Sequence, residues 1–275
     1  MLALAAGCSS RPAAPATAAV PAAPAKKPTP TLGLQANTSD RLRSVMPTDL
    51  LLLGEQHDAP EHQQIHRDVV QALADSGRLA ALALEMADAG NGTTGLPADS
   101  SEFAVKQALR WNDTGWPWAA YGPAVMAAVH AGVPVLGANL PRTQMRGAMG
   151  EPTLETRLPA SAWQAQQQAI RSGHCNLLPE AQTAPMARIQ IAKDISMANT
   201  LASAAQPGKV VVLMAGSGHV DRMVGVPQHL PTTLSAKSVR LQVGAAADGA
   251  PDSVFDVVWS TPPVPFKDYC ASLKK

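Results

Sequence analysis

Two apolar runs of strand-forming residues in this chain end in the same motif, Gly-x-x-His. Residues 50–53 are four leucines, and the Gly-Glu-Gln-His that follows them ends at His57. Residues 210–214 are equally apolar, and the Gly-Ser-Gly-His close behind them ends at His219. Because glycine permits a sharp turn and open α/β sheets bind ligands at the carboxyl ends of their strands, both histidines are expected in one crevice. A third apolar segment ends in Glu85, which we expect at the same edge. The alternative is that each histidine only ends a strand and bonds to a nearby loop.

Strand-like and helix-like segments alternate from residue 50 onward. Strand patterns occur near residues 50–53, 79–85, 133–136, 210–214, 239–243 and 254–259, and helical patterns lie between most of them, including one after His219. This alternation is typical of an α/β fold with a mainly parallel sheet flanked by helices. Residues 142–205 lack a clear strand pattern and predict a helical insertion. The folded domain is expected to span residues 39–265, followed by a C-terminal tail at residues 266–275.

The composition limits the classes of partner. The chain has 275 residues, 46% of them hydrophobic, which is enough for a substantial core. A net charge of +1 and an aromatic content of 4% argue against a nucleic-acid-binding surface, which needs basic patches and stacking rings. No apolar run reaches the roughly 20 residues that cross a bilayer as a helix. We therefore expect no nucleic-acid partner and no membrane-spanning helix.

The first residues predict where the protein is placed. Residues 1–8 resemble the end of a lipoprotein signal, truncated at its start, because a short apolar tract leads to Gly-Cys-Ser-Ser with Cys8 as the residue to be acylated. The serine after Cys8 favours the outer membrane of a Gram-negative bacterium, on its periplasmic face or its surface. Residues 9–38 are rich in alanine and proline and predict a disordered tether. The alternative is an alanine-rich tail without an anchor.

The two other cysteines, Cys175 and Cys270, lack the spacing of a metal site. In an oxidising periplasm they either pair or stay buried as thiols, and the sequence leaves both alternatives open. A structural zinc knuckle is therefore not expected.

Five segments, taken in order, resemble one known family. They are LLLGEQHDAPEH, ALALEM, YGPAVMAAVHAGVPVLGANLPR, QIAKDISMA and VVVLMAGSGHVDRMVGVPQHL. Together they are similar to the ChaN family of haem-binding, iron-regulated bacterial lipoproteins, within the TIKI and TraB superfamily. The resemblance spans about residues 50–230 and then the terminal strands. It implies an outer-membrane lipoprotein that binds haem and assists haem and iron uptake.

The resemblance also directs attention to residues that hold haem. Tyr121, beside three tryptophans, is a candidate iron ligand, and the alternative is a core tyrosine with a bonded hydroxyl. Tyr269 qualifies only if the tail folds back or crosses to a partner subunit. His174 and His62 are further candidates, and Arg142 is expected to bond a propionate through its guanidinium fork. Two copies enclosing the two faces of haem would make a homodimer.

Other members of the superfamily are metal-dependent hydrolases, which supplies an alternative function. A zinc or manganese ion would then be bound by His57, Glu85 and His219. Glu55 would act as general base toward metal-bound water, while Asn139 and Arg142 would orient a carbonyl or an oxyanion. A third hypothesis is a scaffold in which these polar residues only stabilise the fold.

Overall fold

A computed structural model describes residues 29–244 and 254–271. The predicted signal-like segment with Cys8, residues 9–28 of the predicted tether and the last four residues of the tail lie outside the described residues. No helix among the described residues is long and apolar enough to span a membrane. The predicted disorder is wrong for residues 31 and 32, which form an edge strand paired with the last strand of the sheet.

The described residues form a seven-stranded sheet in which every strand pair is parallel. The strands are β1 (Thr31–Leu32), β2 (Leu50–Glu55), β3 (Leu79–Asp88), β4 (Val135–Asn139), β5 (Val210–Gly216), β6 (Ala236–Val243) and β7 (Val257–Thr261). Their order across the sheet is β1-β7-β6-β2-β5-β3-β4. The predicted α/β fold with a parallel sheet is confirmed.

Seven α-helices are described. They are α1 (Thr38–Val45), α2 (Pro60–Asp75), α3 (Glu102–Leu109), α4 (Trp118–His130), α5 (Met145–Met149), α6 (Ala160–Gly173) and α7 (Glu180–Ala204). No strand lies between β4 and β5, where α5, α6 and α7 occur. The helix predicted after His219 is absent, and that connection holds only a 3-10 turn at Val226–His229, in a segment that a glycine and a proline interrupt.

The two faces of the sheet are covered by different helices, because alternate side chains of a strand point to opposite sides. Leu51 and Leu53 of β2 belong to one apolar cluster, together with buried residues of α2 and α4. Leu50 and Leu52 belong to a second cluster, which includes buried residues of α7. All four leucines are fully buried. The unbroken leucine run therefore reflects a strand that is buried on both faces.

The connections that leave β2 and β5 run to opposite faces of the sheet. β2 continues into α2, which packs on the first cluster, whereas the segment after β5 packs Val220 and Val226 into the second cluster with α7. β2 and β5 are direct neighbours. A pair of adjacent parallel strands whose connections diverge in this way opens a crevice at their carboxyl ends. The candidate site lies in this crevice.

Candidate ligand-binding site

A cleft of about 560 Å³ opens at the carboxyl ends of β2, β3 and β5. Its lining includes all three side chains that the sequence predicts to converge, His57, Glu85 and His219. Lys267 and Tyr269 of the C-terminal tail also line it. This first cleft is therefore built from three strand ends and from the C-terminal tail, which lies about 50 residues after the end of β5 in sequence.

Glu55, the last residue of β2, holds one wall of the first cleft. Its side chain points to the same face as Leu51 and Leu53, where α2 and α4 pack, and it is 2% exposed. Its Oε1 accepts a hydrogen bond of 2.7 Å from the hydroxyl of Tyr121 and lies 2.7 Å from Nδ1 of His57. Its Oε2 lies 3.3 Å from Nδ1 of His66 on α2. The Glu55 carboxylate thus fixes the orientation of the His57 ring through Nδ1.

Glu85 holds the opposite wall. It follows Ala81 and Ala83 at alternate positions of β3, so its side chain lies on the face that α7 covers. Its Oε2 accepts a hydrogen bond of 2.7 Å from the backbone N–H of Gly216, and its Oε1 lies 3.3 Å from Nε2 of His219. Glu55 and Glu85 therefore approach the cleft from opposite faces of one sheet.

His57 links the two walls. Nδ1 faces Glu55, and Nε2 lies 4.0 Å from Oε2 of Glu85. The side chain is 41% exposed, the most open of the polar groups at the base of the cleft. Burial opposes its protonation, but the hydrogen bond with Glu55 and the charge of Glu85 outweigh burial, so the pKa of His57 lies above its usual value. An imidazole held in this way can exchange a proton with a bound ligand or coordinate a metal.

His219 is almost completely buried between two carboxylates. Its Nδ1 lies 2.5 Å from Oδ1 of Asp194 on α7, and the amide nitrogen of Gln190 lies 3.0 Å from the same ring atom. Burial alone would lower the pKa of His219, yet Glu85 and Asp194 raise it to about 10. Burial raises the pKa of Asp194, against the influence of His219. For Glu85, burial is outweighed by the two histidines, and its pKa lies well below its usual range. His219 is therefore a cation at neutral pH, paired with buried anions.

Gly216 and Gly54 are required by close contacts. A Cβ atom on Gly216 would lie 2.9 Å from Nε2 of His57, and one on Gly54 would lie 2.3 Å from a methyl group of Val220. Real Cβ atoms do not approach other atoms so closely without a shift of the structure. The glycines of the Gly-x-x-His motifs therefore make room for the site in addition to allowing the turns.

The C-terminal tail folds back over the rim of the first cleft. The hydroxyl of Tyr269 donates a hydrogen bond to Asp58, 2.9 Å from its Oδ1, and Nζ of Lys267 lies 3.0 Å from Oδ2. Burial would raise the pKa of Asp58, but hydrogen bonds from Gln56, Lys267 and Tyr269 lower it to about 2. A disulfide between Cys175 and Cys270 ties the tail to the loop between α6 and α7. The pairing that the sequence left open is thus present.

Two candidate haem residues, His62 and Tyr121, are buried beneath the first cleft. His62 is fully buried, its Nδ1 accepts a hydrogen bond from the backbone N–H of Gln56, and its Nε2 lies 3.1 Å from the hydroxyl of Thr261. Burial lowers the pKa of His62 to about 4. Tyr121 is 1% exposed, and burial together with Glu55 raises the pKa of its phenol beyond the usual range. Both side chains stabilise the base of the site and do not line the first cleft.

His174 lies in the loop that carries Cys175. Its Nδ1 lies 2.8 Å from the backbone oxygen of Ile170, at the end of α6, and the residue is half-buried. It does not line the first cleft. The structure therefore places it with the disulfide anchor of the tail.

A second cleft of about 460 Å³ adjoins the first, and Glu85 lines both. Asn139 and Arg142, the two predicted orienting residues, line this second cleft. The amide nitrogen of Asn139 donates to the backbone oxygen of Glu85 at 2.8 Å. Trp116 also lines the second cleft and packs edge-on against His57, with ring centroids 4.8 Å apart. The pair His57 and Trp116 separates the two clefts.

The predicted divalent-metal site is not supported. Among the described residues no three histidine, cysteine, aspartate or glutamate side chains are arranged to hold a metal ion. The candidate ligands already bond to one another and to the backbone. Glu85 accepts a hydrogen bond from Gly216 and pairs with His219, and His219 also pairs with Asp194. The hydrolase alternative, which depends on that metal, is not favoured.

Sequence reasoning missed several residues of the site. Asp58 and Lys267, which hold the tail, and Arg110 of the second cleft carry no local motif. Asp194 and Gln190, by contrast, stand one turn apart in a helical pattern, a spacing that predicts a polar pair supporting a neighbouring loop, and both contact His219.

Comparison with known proteins identifies the class. An α/β sheet with a polar crevice at its switch point defines a small-ligand-binding or catalytic domain. Residues 42–230 match the family described as "Haem-binding uptake, Tiki superfamily, ChaN". Since the match covers more than half of the chain, this protein belongs to the haem-binding ChaN family of the Tiki superfamily.

A solved structure of a bacterial protein shares the fold. ChaN of Campylobacter jejuni, whose structure shows cofacial haem binding in that protein, is 23% identical, with 72% of this chain and 83% of that chain covered and a TM-score of 0.55. The type III effector HopBA1 is 16% identical, with 78% and 88% covered and a TM-score of 0.41. A protein from Bacillus cereus is 13% identical, with 76% and 70% covered and a TM-score of 0.39. The last two similarities are too low to carry an argument, and no curated protein matches the chain.

Proposed function

We propose that this protein is an outer-membrane lipoprotein that binds haem in the first cleft and assists haem and iron uptake. Membership of the haem-binding ChaN family supports the ligand. The observation that carries the assignment to this cleft is Tyr269, which the disulfide of its neighbour Cys270 holds at the rim.

The first cleft fits haem in size and in chemistry. Its volume of about 560 Å³ lies within the range of roughly 300–1,000 Å³ that is typical of small-molecule and cofactor sites. A phenol at the rim and a half-exposed imidazole at the base are both side chains that coordinate haem iron in proteins. When bound, haem would supply a Lewis-acidic iron that these groups can meet.

Tyr269 is the better iron ligand of the two tyrosines. Its side chain is half exposed and lines the cleft, whereas Tyr121 is buried beneath it. The hydroxyl of Tyr269 donates to Asp58 at the exposed rim, where the phenolic proton would pass to water if the oxygen met the iron. Tyr121 donates to Glu55, a carboxylate that is already engaged with His57 and His66.

The sequence around Cys8 supports the proposed lipid anchor, and exposed apolar side chains near the disulfide support the proposed dimer. A lipid on Cys8 and the Ala/Pro-rich segment after it would hold the domain near the outer membrane. Phe266 is 93% exposed and Leu177 is 51% exposed, close in sequence to the two ends of the disulfide. Such exposed apolar side chains suit a second copy of the chain that covers the other face of haem. Cofacial binding in the Campylobacter jejuni protein agrees with this arrangement.

A titration with haemin, followed by visible absorption, tests the ligand assignment. Wild-type protein should shift the Soret band at micromolar concentration, and Tyr269→Phe should lower the affinity at least about tenfold and change the spectrum of the ferric complex. Tyr121→Phe is the matched variant, and it should keep the wild-type spectrum. Absence of a Soret shift with the wild type would overturn haem binding, and a changed spectrum in Tyr121→Phe alone would overturn the choice of ligand.

A further inference from the structure

Two guanidinium groups line the second cleft without a partner. Arg110 follows α3, and Arg142 follows β4, and both are exposed. No ion pair or side-chain hydrogen bond joins either guanidinium to another residue in the ranges 29–244 and 254–271. Asp88 is the acidic residue of this cleft besides Glu85, and its Oδ2 lies 3.5 Å from the backbone nitrogen of Arg142. Because Glu85 is paired with His219, two guanidinium groups face one uncompensated carboxylate, that of Asp88, and the second cleft has a surplus of one positive charge.

The first cleft has the opposite balance. Its cations are already paired, since Lys267 lies 3.0 Å from Asp58, His57 faces Glu55, and His219 lies between carboxylates. A ligand carboxylate placed there would meet these anions and no unpaired cation. The carboxylates of a ligand in the first cleft are thus favoured to point toward the second.

The backbone at Arg110 gives a second, independent argument. Arg110 ends α3 in the left-handed conformation, with φ 48° and ψ 48°. Helices that end in this way favour glycine, and another residue costs about 1 kcal/mol. The chain therefore carries a long cationic side chain at a position where the backbone conformation favours glycine. Residues in such unfavourable conformations are common at ligand-binding sites.

We propose that Arg110 and Arg142 bind the carboxylates of the tetrapyrrole held in the first cleft, and that this site selects tetrapyrroles whose propionates are free. The inference rests on the proposed haem-binding function. The two clefts share Glu85, and the Trp116 ring that borders the second contacts the His57 ring of the first. A flat ligand in the first cleft therefore has the second cleft at its margin. A guanidinium group binds a carboxylate through two parallel hydrogen bonds between opposite charges. A methyl ester carries no charge and cannot form this ion pair.

Comparison of haemin with its dimethyl ester tests this selectivity. Wild-type protein should bind haemin at least about tenfold more tightly than the ester, the factor expected for loss of one strong charged pair. Arg110→Gly and Arg142→Ala should each weaken haemin binding and leave ester binding unchanged. Arg110→Gly should melt at the same temperature as the wild type or higher, because glycine relieves the left-handed backbone. Arg146→Ala, on the exposed surface of α5 and outside both clefts, is the matched control and should change neither affinity.

The outcomes separate this inference from the function on which it rests. Equal affinity of the wild type for haemin and the ester would overturn the carboxylate site and leave haem binding intact. Equal loss of both ligands in Arg110→Gly would also overturn it. Absence of binding of either ligand to the wild type would overturn the proposed function, and with it this inference.

Discussion

Gly216 lies directly against the imidazole of His57, so close that a Cβ atom at this position would stand 2.9 Å from Nε2. The backbone N–H of the same glycine donates a hydrogen bond of 2.7 Å to Glu85. Gly216 is the first residue of one Gly-x-x-His motif, and His57 is the last residue of the other. The two motifs are therefore in contact. Because Gly216 has no side chain, the backbone at the end of β5 forms part of the wall of the first cleft.

Replacing Gly216 with alanine should displace His57. The added methyl group would overlap the ring, and overpacking of a tight site costs about 1–3 kcal/mol of unfolding free energy. We expect a matching loss in urea denaturation, together with weaker haemin binding. Gly218→Ala is the control, because nothing lies within 4 Å of a Cβ at that position. Equal stability of the two alanine variants would contradict the steric role of Gly216.

Removal of the disulfide should weaken ligand binding as well as the fold. A double change of Cys175 and Cys270 to serine opens a loop of 95 residues, and loss of a native disulfide typically costs about 2–4 kcal/mol. Because Tyr269 is next to Cys270, its position at the cleft would then depend on its bonds to Asp58 and Gln56. Haemin titration of the double variant should show a lower affinity at a temperature where circular dichroism reports a folded protein. Unchanged affinity would mean that the tail holds its place without the disulfide.

His62 should make the protein sensitive to acid. Burial lowers the pKa of His62 to about 4 in the folded state, against an ordinary value near 6.5 in the unfolded chain. Between these values the unfolded chain binds the proton and the folded protein does not, so stability is lost as the pH falls from about 6.5 to 4. Denaturant titrations across this range should give a smaller slope of unfolding free energy against pH for His62→Gln than for the wild type. The same slope in both proteins would rule out His62 as a source of the acid sensitivity.

Cys8→Ser should move the protein out of the membrane fraction. The sequence before Cys8 resembles a lipobox, and acylation there would provide the anchor. The measurement is fractionation of cells that express the full gene product, with a label for incorporated fatty acid. Cys270→Ser controls for the loss of a cysteine and should keep the label. A labelled Cys8→Ser protein would contradict the predicted site of acylation.

Much of the fold could be predicted because its signals are local. A strand that is buried on both faces must be apolar at every position, as residues 50–53 are, and the glycine after it marks the turn. These properties placed His57, Glu85 and His219 at one edge of the sheet. Local signals left Tyr121, beside three tryptophans, open between an iron ligand and a core tyrosine, and the fold buries it with its hydroxyl bonded to Glu55.

Residue types in short, contiguous segments were enough to predict the family, the parallel α/β architecture and the convergence of the strand ends. Packing between distant segments, by contrast, brings Tyr269 to the cleft, pairs Cys175 with Cys270 and buries His62 between Gln56 and Thr261. The hydrogen bond between Gln56 and Tyr269 joins residues 213 positions apart. Contacts of that range depend on how whole elements pack against each other, and no local pattern of residues records them.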